Sequence, residues 1–468
     1  MTGQPEAGLN QKGLGRAGLA WVAAQGFRDP YVIVIAIYIF IPWFVRSVVG
    51  DPVEGQALIG QGGLWGGVAV MLTMPLLGAV VDRMGPRKPG LALVVAAMAA
   101  ICCSLWFVTP IGHPQAMLGV TYVIVAGASM SWLIAAHEML HNALLLPAVG
   151  PSGAARASGA GLAAGNGISV LLLLLLLFAF ALPGTIDLPF LPAQPLLGLD
   201  PALGEPSRIA GPIVGVLMAL GSVPLFLLVR DQPRSGASIA RAVVGGALDL
   251  ARLFRNVRGN ANPLLYLLAR MIFTDGLTAI LLFGGIFASG VMAWGTLEML
   301  GYGLLLSMAA VAGGLLAGRM DMAIGPRPAL MLQLLGLIGL EFAVIGCDRS
   351  HIAHFAISPA PVWSSPIFAT APELAFLALG CSLAICVTAA YASSRTLLTR
   401  VAPAEQMGAF FGLYALSGSA TMWLGPLLVA MATRAVGTQA AGFWPVIGLL
   451  TVGLVLLAFV KGGGKLKA

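Results

Sequence analysis

Three apolar stretches of the chain carry ionisable or polar groups. One holds His137, Glu138, His141 and Asn142. On a helix, residues 138, 141 and 142 share a face through their i,i+3 and i,i+4 spacing. A second holds Arg270 and Asp275, five residues apart, which an ideal helix separates by about 140°. The third holds Thr388, Tyr391, Ser394 and Arg395. A guanidinium with a nearby carboxylate can bind both ends of a zwitterion, the arginine taking a carboxylate and the acid an ammonium. Arg270 and Asp275 could do this, with Glu138 as a second acid. Glu138, His141 or Asp275 could also carry a proton. The competing reading of Glu138, Arg270 and Asp275 is a buried structural group whose members satisfy one another. For the histidines it is satisfied helix packing. Glu298 and Glu341 stand apart in other apolar runs.

The medium gives these charges their weight. Of 468 residues, 59% are hydrophobic and 9% charged, against about 25% charged in a soluble domain. That composition belongs to a polytopic membrane protein, rich in Gly (61) and Pro (30), as packed and kinked membrane helices are. An ionisable group at mid-bilayer costs roughly 2.5–3.5 kcal/mol, so each needs a partner, water or a task. The five cysteines show no CxxC or Cys/His spacing and read as apolar fillers, with no metal site. There is no P-loop or GxSxG, and although His137-Glu138-Met139-Leu140-His141 has HExxH spacing, the chain is expected to be no enzyme, to hold no cofactor and to use no ATP. The first 25 residues lack the pattern of a cleavable signal.

Twelve spans are expected, at 29–49, 56–81, 89–109, 115–146, 157–182, 207–230, 263–289, 294–318, 327–347, 372–399, 405–433 and 439–460. "RVAP" at 400–403 separates spans 10 and 11. Of 25 basic residues, Arg270 is inside a span and Arg46, Arg208, Arg349 and Arg434 fall on one side. The other 20 fall on the opposite side, which makes it the cytoplasmic one and places both termini there. The net charge of +7 therefore reflects topology and does not call for nucleic acid. In this frame Asp275 lies roughly 18 Å in from Pro263, near the midplane. Glu298 and Glu341 lie nearer the outer side. Segments 183–206 and 348–373 read as ordered outer loops.

The chain also repeats itself. "RDPY" opens span 1, with Asp29 as N-cap and Pro30 at the first helical position, and "NPLLY" opens span 7, with Asn262 and Pro263 in those roles. "GAVVDRMGPRKPG", Gly78–Gly90, has a looser copy in "GGLLAGRMDMAIGPRPA", Gly313–Ala329, displaced by 240 residues. Two parallel six-helix halves, residues 1–230 and 263–468, are expected to be joined by a basic linker at 231–262. Between Ala240 and Val257 the linker reads as an amphipathic helix lying on the membrane. Its sharper reading is a site for anionic lipid or a regulator.

The spacing Gly78-x-x-x-Asp82-Arg83-x-Gly85-x-Arg87-Lys88 resembles the loop signature of the major facilitator superfamily. Gly314, Gly318-Arg319, Gly325 and Arg327 resemble its second-half counterpart. In that family the acid of the signature meets helix 11 and latches one state of an alternating cycle. The resemblance implies that Gly78, Asp82, Arg83, Gly85, Arg87, Gly314, Arg319 and Arg327 form a conformational latch. It also implies that spans 1, 4, 7 and 10 line a central cavity. "HNALLLP" (141–147), "LLYLLARMIFTDGLTAILLFGGIFASG" (264–290) and "YASSRTLLTRVAPAEQMGAFFGLYALSGSATMWLGP" (391–426) resemble the vacuole-effluxer-like branch, also called the unknown major facilitator family. Its fungal members are described as exporting amino acids. The branch opens helix 1 with an Asp-Trp-Ala-Asn type motif. Here Gln25-Gly26-Phe27-Arg28 stands instead, with Gln25 in place of the acid.

The expectation is thus an all-α, twelve-helix transporter of the bacterial inner membrane. Its partners are a small polar solute, with amino acids the leading class, protons as coupling ion, and membrane lipids. Glu138, His141, Asn142, Arg270, Asp275, Tyr391 and Arg395 are the candidate substrate or coupling residues. Two alternatives remain open: an exporter of amphiphiles, with a wide apolar cavity and Arg270 turned away from it, and a non-transporting sensor or scaffold with a collapsed core.

Overall fold

A backbone in hydrocarbon must satisfy its own hydrogen bonds, and a helix does so within one segment. The computed structural model follows that rule. It describes residues 14–50, 52–110, 118–181, 183, 194–236, 238–255, 260–294, 296–364, 367–418, 421 and 424–462. Among these, eleven helices are long and apolar enough to cross a membrane. Helices 1–6 are Gly15–Val49, Gln61–Met84, Lys88–Phe107, Val120–Ala143, Leu145–Phe180 and Glu205–Leu228. Helices 7–10 are Ala261–Met292, Gly301–Ile324, Pro326–Ile345 and Ala371–Val401, and helix 12 is Ala440–Phe459. Helix 11 is in two pieces, Met407–Ser417 and Leu424–Val436. The break between helices 10 and 11 falls at Ala402 and Pro403, within the "RVAP" segment.

The two halves repeat one packing scheme. Helix 1 packs on helices 5 and 6, and helix 7 packs on helix 12; helix 2 packs on helix 4, and helix 8 on helix 10. Helix 2 also packs on helix 11, and helix 5 on helix 8, so these two pairs join the halves. The amide of Asn262 at the start of helix 7 bonds the end of helix 12, donating to the Lys461 carbonyl at 2.8 Å and accepting from its N–H at 2.6 Å. The linker carries a helix, Ile239–Arg255, laid against helix 2. The side of the bundle holding this helix is termed the linker face.

Helix 1 departs from the expected span. It begins at Gly15, fourteen residues before Asp29, so Asp29 is no N-cap; its N–H bonds the Gln25 carbonyl inside a continuing helix. Past Pro30 the helix widens into π-helical turns at Tyr31–Tyr38 and again at Val45–Val49. Arg28, counted by charge as a loop residue, therefore lies inside the bundle. Helix 7 starts from Asn260 instead of Asn262. Helices 4 and 5 meet at Leu144 with almost no loop, and helix 5 is kinked near its start at Gly150, φ 67°. Segment 348–373 contains a short hairpin pairing His351–Ile352 with Phe355–Ala356. Most of 183–206 before Gln194 lies outside the described residues.

Candidate functional site

The early start of helix 1 brings Trp21, Gln25 and Arg28, which span prediction left outside, into the bundle, and moves Asp29 from the helix start to its interior. On the helix they follow an i,i+4 and i,i+3 rhythm, so they share a face. That face meets helices 4 and 10. The Trp21 indole N–H donates to the His141 carbonyl at 2.8 Å, and His141 Nε2 lies 3.0 Å from the Trp21 carbonyl. The two rings stack at 4.2 Å. Arg395 Nη1 donates to Gln25 Oε1 at 2.7 Å, joining helix 10 to helix 1. Gln25 Nε2 reaches Asp29 at 3.3 Å, and Arg28 pairs with Asp29 at 2.8 Å. The residue that replaces the acid of the family motif thus holds an arginine through a neutral amide.

Arg270 is turned toward helix 11. Its Nη1 donates to the Tyr414 carbonyl and to Ser417 Oγ, both at 2.6 Å, and its guanidinium lies 3.4 Å from the Tyr414 ring centre. Tyr414 OH shares a 2.8 Å bond with Ser394 Oγ on helix 10, and Tyr266 OH donates to the Ser394 carbonyl. Tyr391 faces Thr278 of helix 7. Glu138 on helix 4 lies within coulombic reach of Asp29, Arg270, Tyr391 and Arg395. Four helices thereby converge: helix 1 with Arg28 and Asp29, helix 4 with Glu138, helix 7 with Arg270 and helix 10 with Arg395. Arg395 stands about 9 Å and Arg270 about 14 Å along their helices from the linker-face ends, at 1.5 Å per residue. Among the described residues, Glu138 accepts no hydrogen bond. The Nε groups of Arg28, Arg270 and Arg395, both ring nitrogens of His137 and the Asn142 amide nitrogen are buried without a partner.

Asp275 does not join this group. The 140° between it and Arg270 sends it to the break in helix 11, beside Thr421, with one carboxylate oxygen unpartnered. The paired site expected of Arg270 and Asp275 is therefore not what helix 7 presents. The acid near Arg270 is Glu138, and the arginine that meets helix 1 is Arg395. Sequence reasoning missed Gln25, Arg28 and Asp29 because a charged pair beside a proline reads as a helix start. The unbroken apolar run "AGLAWVAA" just before it was the contrary signal.

The charged knot ties helix 2 to helix 11 at the linker face. Asp82 Oδ1 accepts from the Gly408 N–H at 2.9 Å and Oδ2 from the Ala409 N–H at 2.8 Å, capping the start of helix 11. Arg87 Nη2 donates to the same carboxylate at 3.1 Å. The Arg87 N–H is in turn held by Asp231 of the linker. A Cβ on Gly78 would strike the Gly408 carbonyl oxygen, so only glycine allows helices 2 and 11 this approach. Across the bundle, a Cβ on Gly314 would sit 2.7 Å from Ala163 N and from Gly159 O of helix 5. Ser158 Oγ donates to the Ala392 carbonyl beside them at 2.9 Å.

The remaining knot residues hold other partners. Gly85 turns the chain at φ 95°. Arg83 turns to the linker helix, with Nε and Nη2 on Asp249 at 2.5 and 2.8 Å. That contact holds the Asp249 carboxyl below the usual carboxylate range. Arg327 donates to the Leu457 and Ala458 carbonyls, capping the end of helix 12. Arg319 is exposed and, with Arg156 and Gly318, lines a pocket of about 290 Å³.

Residues 155–464 match the family described as vacuole effluxer Atg22 like. The chain belongs to that family. A stretch of 69 residues is 33% identical to the uncharacterized MFS-type transporter YxiO of Bacillus subtilis (strain 168), and spans only 15% of this chain and 16% of YxiO. Three solved structures share the fold over nearly the whole length. FucP in the outward conformation has a TM-score of 0.63 at 12% identity, covering 96% of this chain and 98% of that one. The E. coli fucose:proton symporter FucP has 0.63 at 13%, covering 96% and 97%. The human organic anion transporter MFSD10 has 0.66 at 14%, covering 96% and 100%. The fold is that of the major facilitator superfamily, and the family is one of transporters and not of enzymes.

Proposed function

We propose that the protein is a secondary active transporter that carries a small zwitterionic solute, with amino acids as the leading class, through the polar group at helices 1, 4, 7 and 10. One observation carries this reading. Glu138 is an acid without a hydrogen-bond partner among the described residues, and it sits in reach of Arg270 and Arg395, which keep unused donors. Arg28 and Asp29 neutralise each other beside it. A solute ammonium would pair with Glu138, and a solute carboxylate with Arg395 and Arg270. The likeness to a fucose:proton symporter supports proton coupling, for which Asp275 and Glu138 are the acids at depth. The knot residues would latch the state closed at the linker face, which the excess of basic residues makes the cytoplasmic one. In a bacterial inner membrane both termini would then be cytoplasmic. The units 1–230, 231–262 and 263–468 would move as half, linker and half. The family description as effluxer favours export.

The test is ligand-dependent thermal stability of the purified full chain. Neutral amino acids should raise the unfolding temperature, while their amides and decarboxylated amines should not, and Glu138→Gln should abolish the effect. Stabilisation by sugars or amines with no response to amino acids contradicts the reading.

A further inference from the structure

A second carboxyl group is buried far from this group and takes no part in it. Glu341 on helix 9 is 1% exposed, and both its side-chain oxygens lack a partner. An isolated carboxyl group in apolar surroundings is costly unless something neutralises it. Glu341 lines a cavity of about 100 Å³ enclosed by helices 7, 8, 9 and 10 and the start of helix 12. The other walls are apolar side chains and glycines together with four aromatic rings, Phe287, Tyr302, Phe376 and Phe443. These rings form one cluster, Phe287 lying 4.9 Å from Phe443 and 6.2 Å from Phe376, and Tyr302 lying 6.1 Å from Phe376. The cavity is not a closed void, because Leu281 in its wall is 63% exposed. Gly284, also in the wall, is fourteen residues beyond Arg270 on helix 7, about 21 Å along the axis.

We propose that this cavity is a binding site for a small alkylated ammonium group, with Glu341 as counter-ion and the aromatic rings as a cage. The wall chemistry selects the ligand class. A bare metal ion needs several oxygen donors, and here one carboxylate and one phenol face mostly carbon. An alkylated ammonium presents methyl groups to rings whose faces attract its charge, and needs one anion. The volume suits a head group and not a whole amphiphile. The same head could belong to a free cation such as choline or to a choline lipid whose tails lie outside the cavity.

The experiment uses the full chain in a non-ionic detergent. Equilibrium dialysis would measure binding of choline, of tetramethylammonium, and of the neutral alcohol in which carbon replaces the nitrogen of choline. Both cations should bind at least about tenfold more tightly than the alcohol. Glu341→Gln should weaken them by at least about tenfold. Phe376→Leu, which keeps the acid, should narrow the gap between cation and alcohol. Glu138→Gln should leave choline binding unchanged, so failure here and failure of the solute site are separable. In nanodiscs, choline binding suppressed by phosphatidylcholine but not by phosphatidylglycerol assigns the site to a lipid head, and equal binding in both assigns it to a free cation. Equal affinity for choline and the alcohol, or full binding by Glu341→Gln, overturns the proposal.

Discussion

Asp82→Asn is the sharpest test of the proposed latch. In the closed linker face the Asp82 carboxylate accepts two N–H bonds from the first turn of helix 11 and one from Arg87. The amide keeps one acceptor oxygen and turns a donor toward the other N–H or toward Arg87. It also removes the charge that favours a helix N-terminus. Loss of a helix cap costs about 0.5–2 kcal/mol, and loss of a bond to a charged group about 1.5–3 kcal/mol. The contact exists only when helices 2 and 11 are together, so most of this cost falls on the closed state. A net roughly 2–4 kcal/mol shifts the population about 30- to 1,000-fold toward opening at this face. Spin labels at Pro89→Cys, at the start of helix 3 just past the knot, and at Glu405→Cys, just before helix 11, in a background without the native cysteines, report the separation of the halves at this face by pulsed electron resonance. The distribution should move from one short distance to a majority of longer ones. A distribution unchanged by Asp82→Asn would refute the latch, because the bonds it removes would then carry no weight.

Other outcomes follow from the same contacts. Gly314→Val should hold helices 5 and 8 apart, since a Cβ there lies 2.7 Å from two helix 5 atoms; labels at their linker-face ends should show the opening and solute exchange should fall. Asp249 has a folded pKa held below its unfolded value by Arg83, so its contribution to linker docking is present above the unfolded pKa and is lost as pH falls through the folded one. Hydrogen exchange in Ile239–Arg255 should accordingly accelerate below about pH 4, and in Asp249→Asn it should be fast at neutral pH too. Arg395→Lys keeps a charge but not the reach of Nη1 to Gln25, and should weaken solute binding by about tenfold or more without loss of fold, read by the thermal-shift titration.

The apolar runs made the crossings legible, because hydrocarbon leaves a backbone few alternatives. The knot was legible for a related reason. A glycine, an acid and arginines at fixed spacing describe a helix-to-helix approach plus a capped helix end, and Gly78 and Asp82 supply both. The polar group was only half legible. Glu138, Arg270 and Arg395 stood out as charges within spans, but Arg28 read as a loop residue and Asp29 as an N-cap because a charged pair before a proline reads as a helix start. The assignment of partners was not legible at all. Helical spacing showed that Arg270 and Asp275 diverge, yet nothing local said that Arg270 meets Tyr414 and Ser417, 144 and 147 residues away. Glu341 stood out as an acid in an apolar run, but its surroundings were not legible, because its aromatic neighbours come from four other elements.

Solute counterflow in proteoliposomes tests the central claim most directly. Vesicles preloaded with an unlabelled neutral amino acid should transiently accumulate the labelled one, with labelled sugars excluded. Glu138→Gln, incorporated at equal density, should abolish that exchange while Glu341→Gln retains it. Undiminished amino-acid exchange by Glu138→Gln, or exchange of a sugar in place of any zwitterion, would contradict the account.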